Sequence, residues 1–407
     1  MNNKLTSLLD VSIGKGEYGI GAPAVNKSNV LPTYLRITDI NDDGTINFSG
    51  LKSVDADGYK KYLLEYGDVV FARTGNSTGR SYVYRPKDGN FVYAGFLIKF
   101  KLNISKVIPE YFRYTLLSSQ YKNWIKGNVT GSTRSNINVE GFGKFTFKLP
   151  EISEQKRIAD ILTALDDKIE LNNQMNQTLE EIASLLYKRW FVDFEFPDDK
   201  GNPYKSSGGE MVDSELGMIP KGWEVKELGE FITLINGYAF KSGSYSKDGN
   251  YKIITIKNVL DNKFITNSTN KILEIPDNVI ENQKLKIGDV LISLTGNVGR
   301  VCVVTEGECL LNQRVAKIIS KIEVNKYYWR TFFNTEEIKI KMINISKGTA
   351  QSNLSTIEIM KIKILNSKEV TYNFSEKIKA ISKKKLQNEI MILNIEMIKQ
   401  KLLEELV

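Results

Sequence analysis

Two textures alternate along the chain, and the spacing of apolar positions separates them. From Ser153 to about Trp190 there is no Pro or Gly, and apolar residues fall at Ile158, Leu162, Leu165, Ile169, Leu179, Ala183, Leu186 and Trp190. Asn172 and Asn176 fill the two middle slots. Steps of four and three over about five heptads predict one amphipathic helix. At a rise of about 1.5 Å per residue, a helix of about 38 residues extends roughly 57 Å. The chain ends in the same way: Met391, Ile395, Ile398 and Leu402 step by four, three and four, with Asn388 ahead of them and Lys or Glu opposite. Ser153 and Ser375, each followed by a charged or amide first turn, are the expected helix starts.

The stretches before these helices read as strands. "YGDVVFARTG", "RSYVYRP" and "FVYAGFLIKFKL" are short branched and aromatic runs broken by Gly, Asn, Asp and Pro, and "YKIITIKNV", "GDVLISLTG" and "VCVVTEG" repeat the style. Helical patterns follow each set, in "PEYFRYTLLSSQYKNWI" and "NKYYWRTFFNTEEIKIKMI". The predicted fold class is α+β, with two similar mixed α/β domains, each built on a twisted, largely antiparallel sheet. Pro, Gly, Ser and Asp between Phe196 and Val225 mark a linker. The expected divisions are a first domain over 1–152, a helix over 153–192, a linker over 193–218, a second domain over 219–369 and a helix over 370–407.

A duplication underlies this order. "GDVVFARTGNSTGR" from Gly67 is answered by "GDVLISLTGNVGR" from Gly288, with Thr74 and Thr295 offset by 221 residues. "GSTRSNIN" from Gly131 is answered by "GTAQSNLS" from Gly348, offset by 217. Two motifs in one order at nearly one spacing indicate that a whole domain is repeated. A period above 200 residues excludes a solenoid or propeller, whose repeats span about 20 to 50 residues. Each long helix exposes a stripe that needs a partner, either its own domain or the other helix. We favour an antiparallel helix pair relating the two domain-helix units by an approximate two-fold axis. Asn at core positions disfavours alternative registers.

Composition narrows the chemistry. Of 407 residues, 41% are apolar and 26% charged, an ordinary globular balance, and the length calls for more than one core. Lys and Arg exceed Asp and Glu by 56 to 48, so a polyanionic partner is compatible with the charge of +8. The chain has no His, which removes Ser-His-Asp and Cys-His catalysis and His-ligated metals together. Cys302 and Cys309 have no further cysteine to complete a metal set and read as buried thiols. Phosphate-binding, dinucleotide-binding and nucleophile-elbow motifs are missing, as are the N-P-P-Y-like and D-P-P-Y-like tetrapeptides of nucleic-acid methyltransferases. With no apolar window of roughly 18 residues and no leader pattern in "MNNKLTSLLDV", a cytoplasmic protein away from membranes is expected.

The polar loops then carry the functional reading. Arg73, Thr74, Asn76, Ser77, Thr78 and Arg80 sit on the first Gly-bounded turn, and Thr295, Asn297 and Arg300 on its counterpart. In the second motif, Thr133, Arg134 and Asn136 correspond to Thr349, Gln351 and Asn353. Arg and Asn can bond guanine and adenine edges in a bidentate manner, while hydroxyls and backbone N–H groups suit phosphate oxygens. Ordinary hairpins with solvated polar residues are the competing reading.

The repeated loops, "LLNQRVAKI", the block from "GSTRSNIN" through "FKLPEISEQKRIADILTALDDKIELNNQMNQTLEEIASLLYKRWFVDF", and "SELGMIPKGWEVKELGEF" together resemble the specificity subunits of type I restriction-modification enzymes. The resemblance spans essentially the whole chain and is most specific from Leu149 to Phe194. It implies two target-recognition domains that read a bipartite asymmetric double-stranded DNA sequence. It also implies two methyltransferase subunits and restriction/translocase subunits as partners. No cofactor is expected on this chain, with S-adenosylmethionine and ATP/Mg held by the partners. Two departures stand out: the first domain lacks the "PKGW" lead-in of the second, and the last helix lacks the "LPEISEQKRIADIL" wording. A self-contained DNA methyltransferase and a coiled-coil adaptor without DNA contact are the alternatives.

Overall fold

The computed structural model describes residues 4–129, 136–267, 269–347 and 354–407. Its helices are α1 (Pro109–Thr115), α2 (Ser119–Val129), α3 (Val139–Gly143), α4 (Ile152–Tyr187), α5 (Tyr327–Phe333), α6 (Glu336–Lys347), α7 (Thr356–Met360) and α8 (Lys368–Leu406). Two compact units are formed, the first by Met1–Ile169 with Asn394–Val407 and the second by Glu170–Leu393.

In the first unit, strands Ser12–Tyr18, Leu97–Leu102, Asp68–Ala72 and Ser81–Val83 lie side by side in that order, all antiparallel. Ala24–Val25, Lys52–Val54, Thr33–Leu35 and Phe91–Tyr93 form a second sheet. Its last pair is parallel, within an otherwise antiparallel arrangement. Strand Asp68–Ala72 is buried along its whole length because both of its faces meet a core. Val69 and Phe71 point into one core, where Phe71 stacks on Phe142 at 4.7 Å, and Val70 and Ala72 point into the other. Successive side chains on a strand take opposite faces, so a strand between two cores reads as an unbroken apolar run.

The second unit repeats this topology. Ile232–Asn236, Val315–Ser320, Val290–Ser293 and Val301–Val303 follow the same order, and Tyr251–Ile254 again runs parallel to Cys309–Leu311. Val290 and Ile292 enter one core, Leu291 the other. Helices α5, α6 and α7 follow in the sequence of α1, α2 and α3. Cys302 and Cys309 are buried and unpaired in these strands, and burial pushes the Cys309 thiol up to about 12.

Three expectations need correction. Residues 193–218 do not form a free linker: Phe194 and Phe196 belong to the second unit's core, with Tyr204 and Met211 packed against it. Phe196 stacks on Tyr204 at 4.7 Å and on Trp223 at 5.3 Å, so a few aromatic side chains outweigh the turn-forming composition around them. Ser375 does not begin the last helix. It is buried inside α8, where its Oγ donates to the Tyr372 carbonyl and accepts from the Asn325 N–H. At the other end of the first long helix, α4 gives way after Tyr187 to a π-helical turn over Lys188–Val192.

The third correction concerns the stripe on α8. On α4, Ile158, Leu162, Asn172 and Asn176 are buried, and Leu165, Ile169, Leu179 and Leu186 half-buried, as the heptads require. On α8, Met391 and Ile398 are instead 40% and 49% exposed, Leu402 is half-buried, and the inward line runs through Lys385, Asn388, Ile392, Ile395, Lys399 and Leu403. Two lysines take inward places because carboxylates of α4 neutralise them. In the first unit, Lys399 Nζ donates to Asp166 at 2.5 Å, and Arg113 and Tyr114 donate to the same carboxylate at 2.9 and 2.8 Å. In the second, Lys385 pairs with Glu180, and Asn388 Nδ2 donates to Asn176 Oδ1 at 2.9 Å. Within each unit, rising numbers on α4 meet falling numbers on α8, so the helices run antiparallel.

Burial alone would raise the Asp166 carboxyl, but Arg113 and Lys399 carry it below its ordinary value of 3.8. Its contribution to stability is therefore present above that value and lost as pH falls through the depressed folded value. Asp166→Asn is expected to lower stability at neutral pH and to flatten the acid limb of the stability profile, measured by urea unfolding across pH. Asn388→Leu alone strands the buried Asn176 amide and costs about 1–3 kcal/mol. Adding Asn176→Leu should recover most of that loss, a coupling that a double-mutant cycle reads directly.

Candidate nucleic-acid interface

Both copies of the repeated phrase form one device. Asp68 Oδ2 accepts the Glu65 N–H, and Asp289 Oδ2 the Lys286 N–H, each at 2.8 Å, closing the turn that starts the doubly buried strand. Asp289 also pairs with Lys317 at 2.8 Å, while Asp68 lies 3.5 Å from Lys101. Beyond the strand, Gly79 and Gly299 adopt φ of 90° and 78°, which disfavours any side chain. A Cβ at Gly79 would sit 2.7 Å from Ile125 on α2, and at Gly299 2.9 Å from Met342 on α6. The letters the two phrases share are thus mainly those that set the backbone.

In each unit the described end of the second motif meets the first motif at one sheet end. Thr74 and Asn136 form an antiparallel bridge, and the Ile137 N–H donates to the Arg73 carbonyl at 3.0 Å. In the second unit the Leu354 N–H donates to the Leu294 carbonyl at 2.7 Å. Asn136 is exposed there. Thr133, Arg134, Thr349, Gln351 and Asn353 lie outside the described residues.

The loop side chains divide by what engages them. Arg80 is held within its unit, its Nε on Asp42 at 2.6 Å and its Nη1 donating to the Ile40 carbonyl. Thr78 Oγ1 donates to the Gly75 carbonyl at 2.7 Å. With its amide oxygen turned toward Arg300, Asn297 accepts from Nη2 at 3.0 Å. Asn76 and Asn297 stand exposed, and Thr74 and Ser77 are half-buried. Thr295 Oγ1 is buried without a hydrogen-bond partner among the described residues. The Arg73 guanidinium lies over the Tyr18 ring at 5.1 Å and the Phe96 ring at 5.7 Å, and its Nε has no hydrogen-bond partner among the described residues.

Tyr18, Phe96 and Arg314 were not singled out from the sequence. Arg314 is exposed beside Leu294, whose N–H donates to the Arg314 carbonyl at 3.0 Å. The signal was present: "QRVAKI" aligns with "GFLIKF" at an offset of 218, placing Arg314 on Phe96.

Paired domains of one topology, each ending in a polar turn beside a second polar motif, define a duplicated recognition protein. The sequence profile of the type I restriction modification DNA specificity domain matches twice, over residues 22–181 and 220–365, and the chain belongs to that family. It is 26% identical to the HindI type I restriction enzyme specificity subunit of Haemophilus influenzae, over 92% of this chain and 94% of that one. It is 25% identical to a putative MjaX specificity subunit of Methanocaldococcus jannaschii, over 83% of this chain and 77% of that one. The fold is similar to the crystal structure of the type I restriction-modification S subunit from M. genitalium, with a TM-score of 0.59 at 13% identity, covering 100% of this chain and 96% of that one. No helix of the described residues is long and apolar enough to cross a membrane.

Gly79→Ala forces a Cβ against Ile125 at a positive φ and should cost about 1–3 kcal/mol. Asn76→Ala, on the exposed part of the same turn, should stay within about 0.5 kcal/mol. Urea unfolding of the two variants checks the contrast.

Proposed function

We propose that this chain is the sequence-reading subunit of a type I restriction-modification complex and performs no chemistry itself. Each unit reads one half of a split, asymmetric double-stranded DNA target. Two methyltransferase subunits bring S-adenosylmethionine to it, and restriction/translocase subunits bring ATP and Mg. The observation that carries this reading is the repeat of one scaffold with different side chains at the same sheet end: Arg73, Phe96 and Asn136 in one unit, Leu294 and Arg314 in the other. A common scaffold with differing ends suits two different half-sites. Phosphate contacts from lysines and arginines, which outnumber the carboxylates by 56 to 48, supply affinity and make it salt-dependent, while side chains at the loops supply base choice. The Arg73, Thr74, Asn76, Ser77, Thr78, Asn136, Thr295 and Asn297 positions are the candidate contacts. Arg80 is better placed to hold the loop, since Asp42 already engages it.

Exchanging residues 1–150 for the first domain of a relative, in the full chain with its methylating partner, should change one half of the methylated motif and leave the other half and the gap intact. Removing one heptad from both α4 and α8 shortens them by about 10 Å, so the gap should contract by roughly three base pairs. Purified chain that methylates DNA from S-adenosylmethionine without any partner would contradict the non-catalytic assignment.

A further inference from the structure

At the sheet end where the motifs converge, three neighbouring strands each present one residue. In the first unit these are Tyr18, Phe96 and Arg73. In the second they are Asn236, Arg314 and Leu294. The correspondence follows from register: Tyr18 stands opposite Ile98 as Asn236 stands opposite Ala316. The Arg73 N–H donates to the Phe96 carbonyl at 3.1 Å as the Leu294 N–H donates to that of Arg314. Each unit thus carries one arginine in this row, and between the units the arginine and its apolar neighbour exchange strands.

Among the described residues, no carboxylate pairs with either guanidinium. Arg36, Arg80, Arg113 and Arg330 each pair with a carboxylate of their own unit. Arg73 and Arg314 make no side-chain hydrogen bond or ion pair among the described residues. The Arg73 guanidinium lies over two rings that are themselves 46% and 56% exposed, and these contacts restrict where its fork can point before any partner arrives. A planar, uncompensated donor fork matches the paired O6 and N7 acceptors of guanine in the major groove.

We propose that Arg73 and Arg314 are equivalent specificity-determining residues, each reading one guanine in its own half-site from a different strand of the same scaffold. This rests on the DNA-reading role given above. Leu294 is buried where Arg73 stands, so Arg73→Leu places at that position a side chain the fold already accommodates in the other unit.

The test uses the full chain with its methylating partner and maps methylated adenine genome-wide for wild type, Arg73→Leu, Arg73→Lys and Arg314→Ala, with thermal melting of each purified complex. Arg73→Leu should relax one guanine position in one half-site, so that wrong bases there are accepted about 10- to 100-fold more readily. Arg314→Ala should do the same in the other half-site, with gap and melting midpoint unchanged. Arg73→Lys keeps the charge but loses the fork and should relax the same position partially. An unchanged motif, a uniform decline in methylation with every base requirement retained, or a wild-type half-site with no G·C pair overturns the proposal. A wild-type motif that is not bipartite contradicts the DNA-reading role instead, so the two failures are distinguishable.

Discussion

Burying both faces of a single strand constrains everything around it. Val69 and Phe71 are committed to one core and Val70 and Ala72 to another, so Asp68–Ala72 cannot slip by one residue without turning its side chains into the wrong core. Val290, Leu291 and Ile292 impose the same condition in the second unit. A strand so fixed delivers the residue that follows it to a defined point, and that residue is Arg73 in one unit and Leu294 in the other. The neighbouring strand, held in register against it, delivers Phe96 and Arg314. Rigid placement of a few side chains that are free to differ is what recognition by a duplicated scaffold requires.

A second constraint acts along the helices. Carboxylates on α4 face lysines on α8, Asp166 with Lys399 in the first unit and Glu180 with Lys385 in the second. In the second unit, burial alone would raise the Glu180 carboxyl, but Arg330 and Lys385 bring it below its ordinary value. Buried charge is costly unless paired, so each pair favours one register and one helix direction over the alternatives. The Asn176–Asn388 bond adds a further condition of the same kind.

Much of this architecture is legible in the sequence, and the failures have physical causes. The duplication shows because its invariant letters meet backbone requirements: a carboxylate that closes a turn, and glycines where a Cβ would strike α2 or α6. The stripe on α4 shows because its inward positions are apolar or Asn. On α8 the inward lysines disguise it, since pattern reading places charge outside, and Met391 and Ile398 were chosen in their stead. The segment after α4 reads as a linker because turn residues outnumber the aromatics that pin it to the second core. Within the loops, sequence alone does not distinguish Arg80, which Asp42 engages, from Arg73, which no carboxylate among the described residues engages. Arg314 escaped because it belongs to a strand end, and only register shows that it stands in the row of Arg73.

Two structurally equivalent units with unlike sheet ends should read two unlike half-sites. Genome-wide mapping of methylated adenine in cells carrying this chain and its methylating partners tests that most directly. The predicted result is one bipartite, asymmetric motif with an unspecified gap. A single contiguous motif, or two identical half-sites, would contradict it.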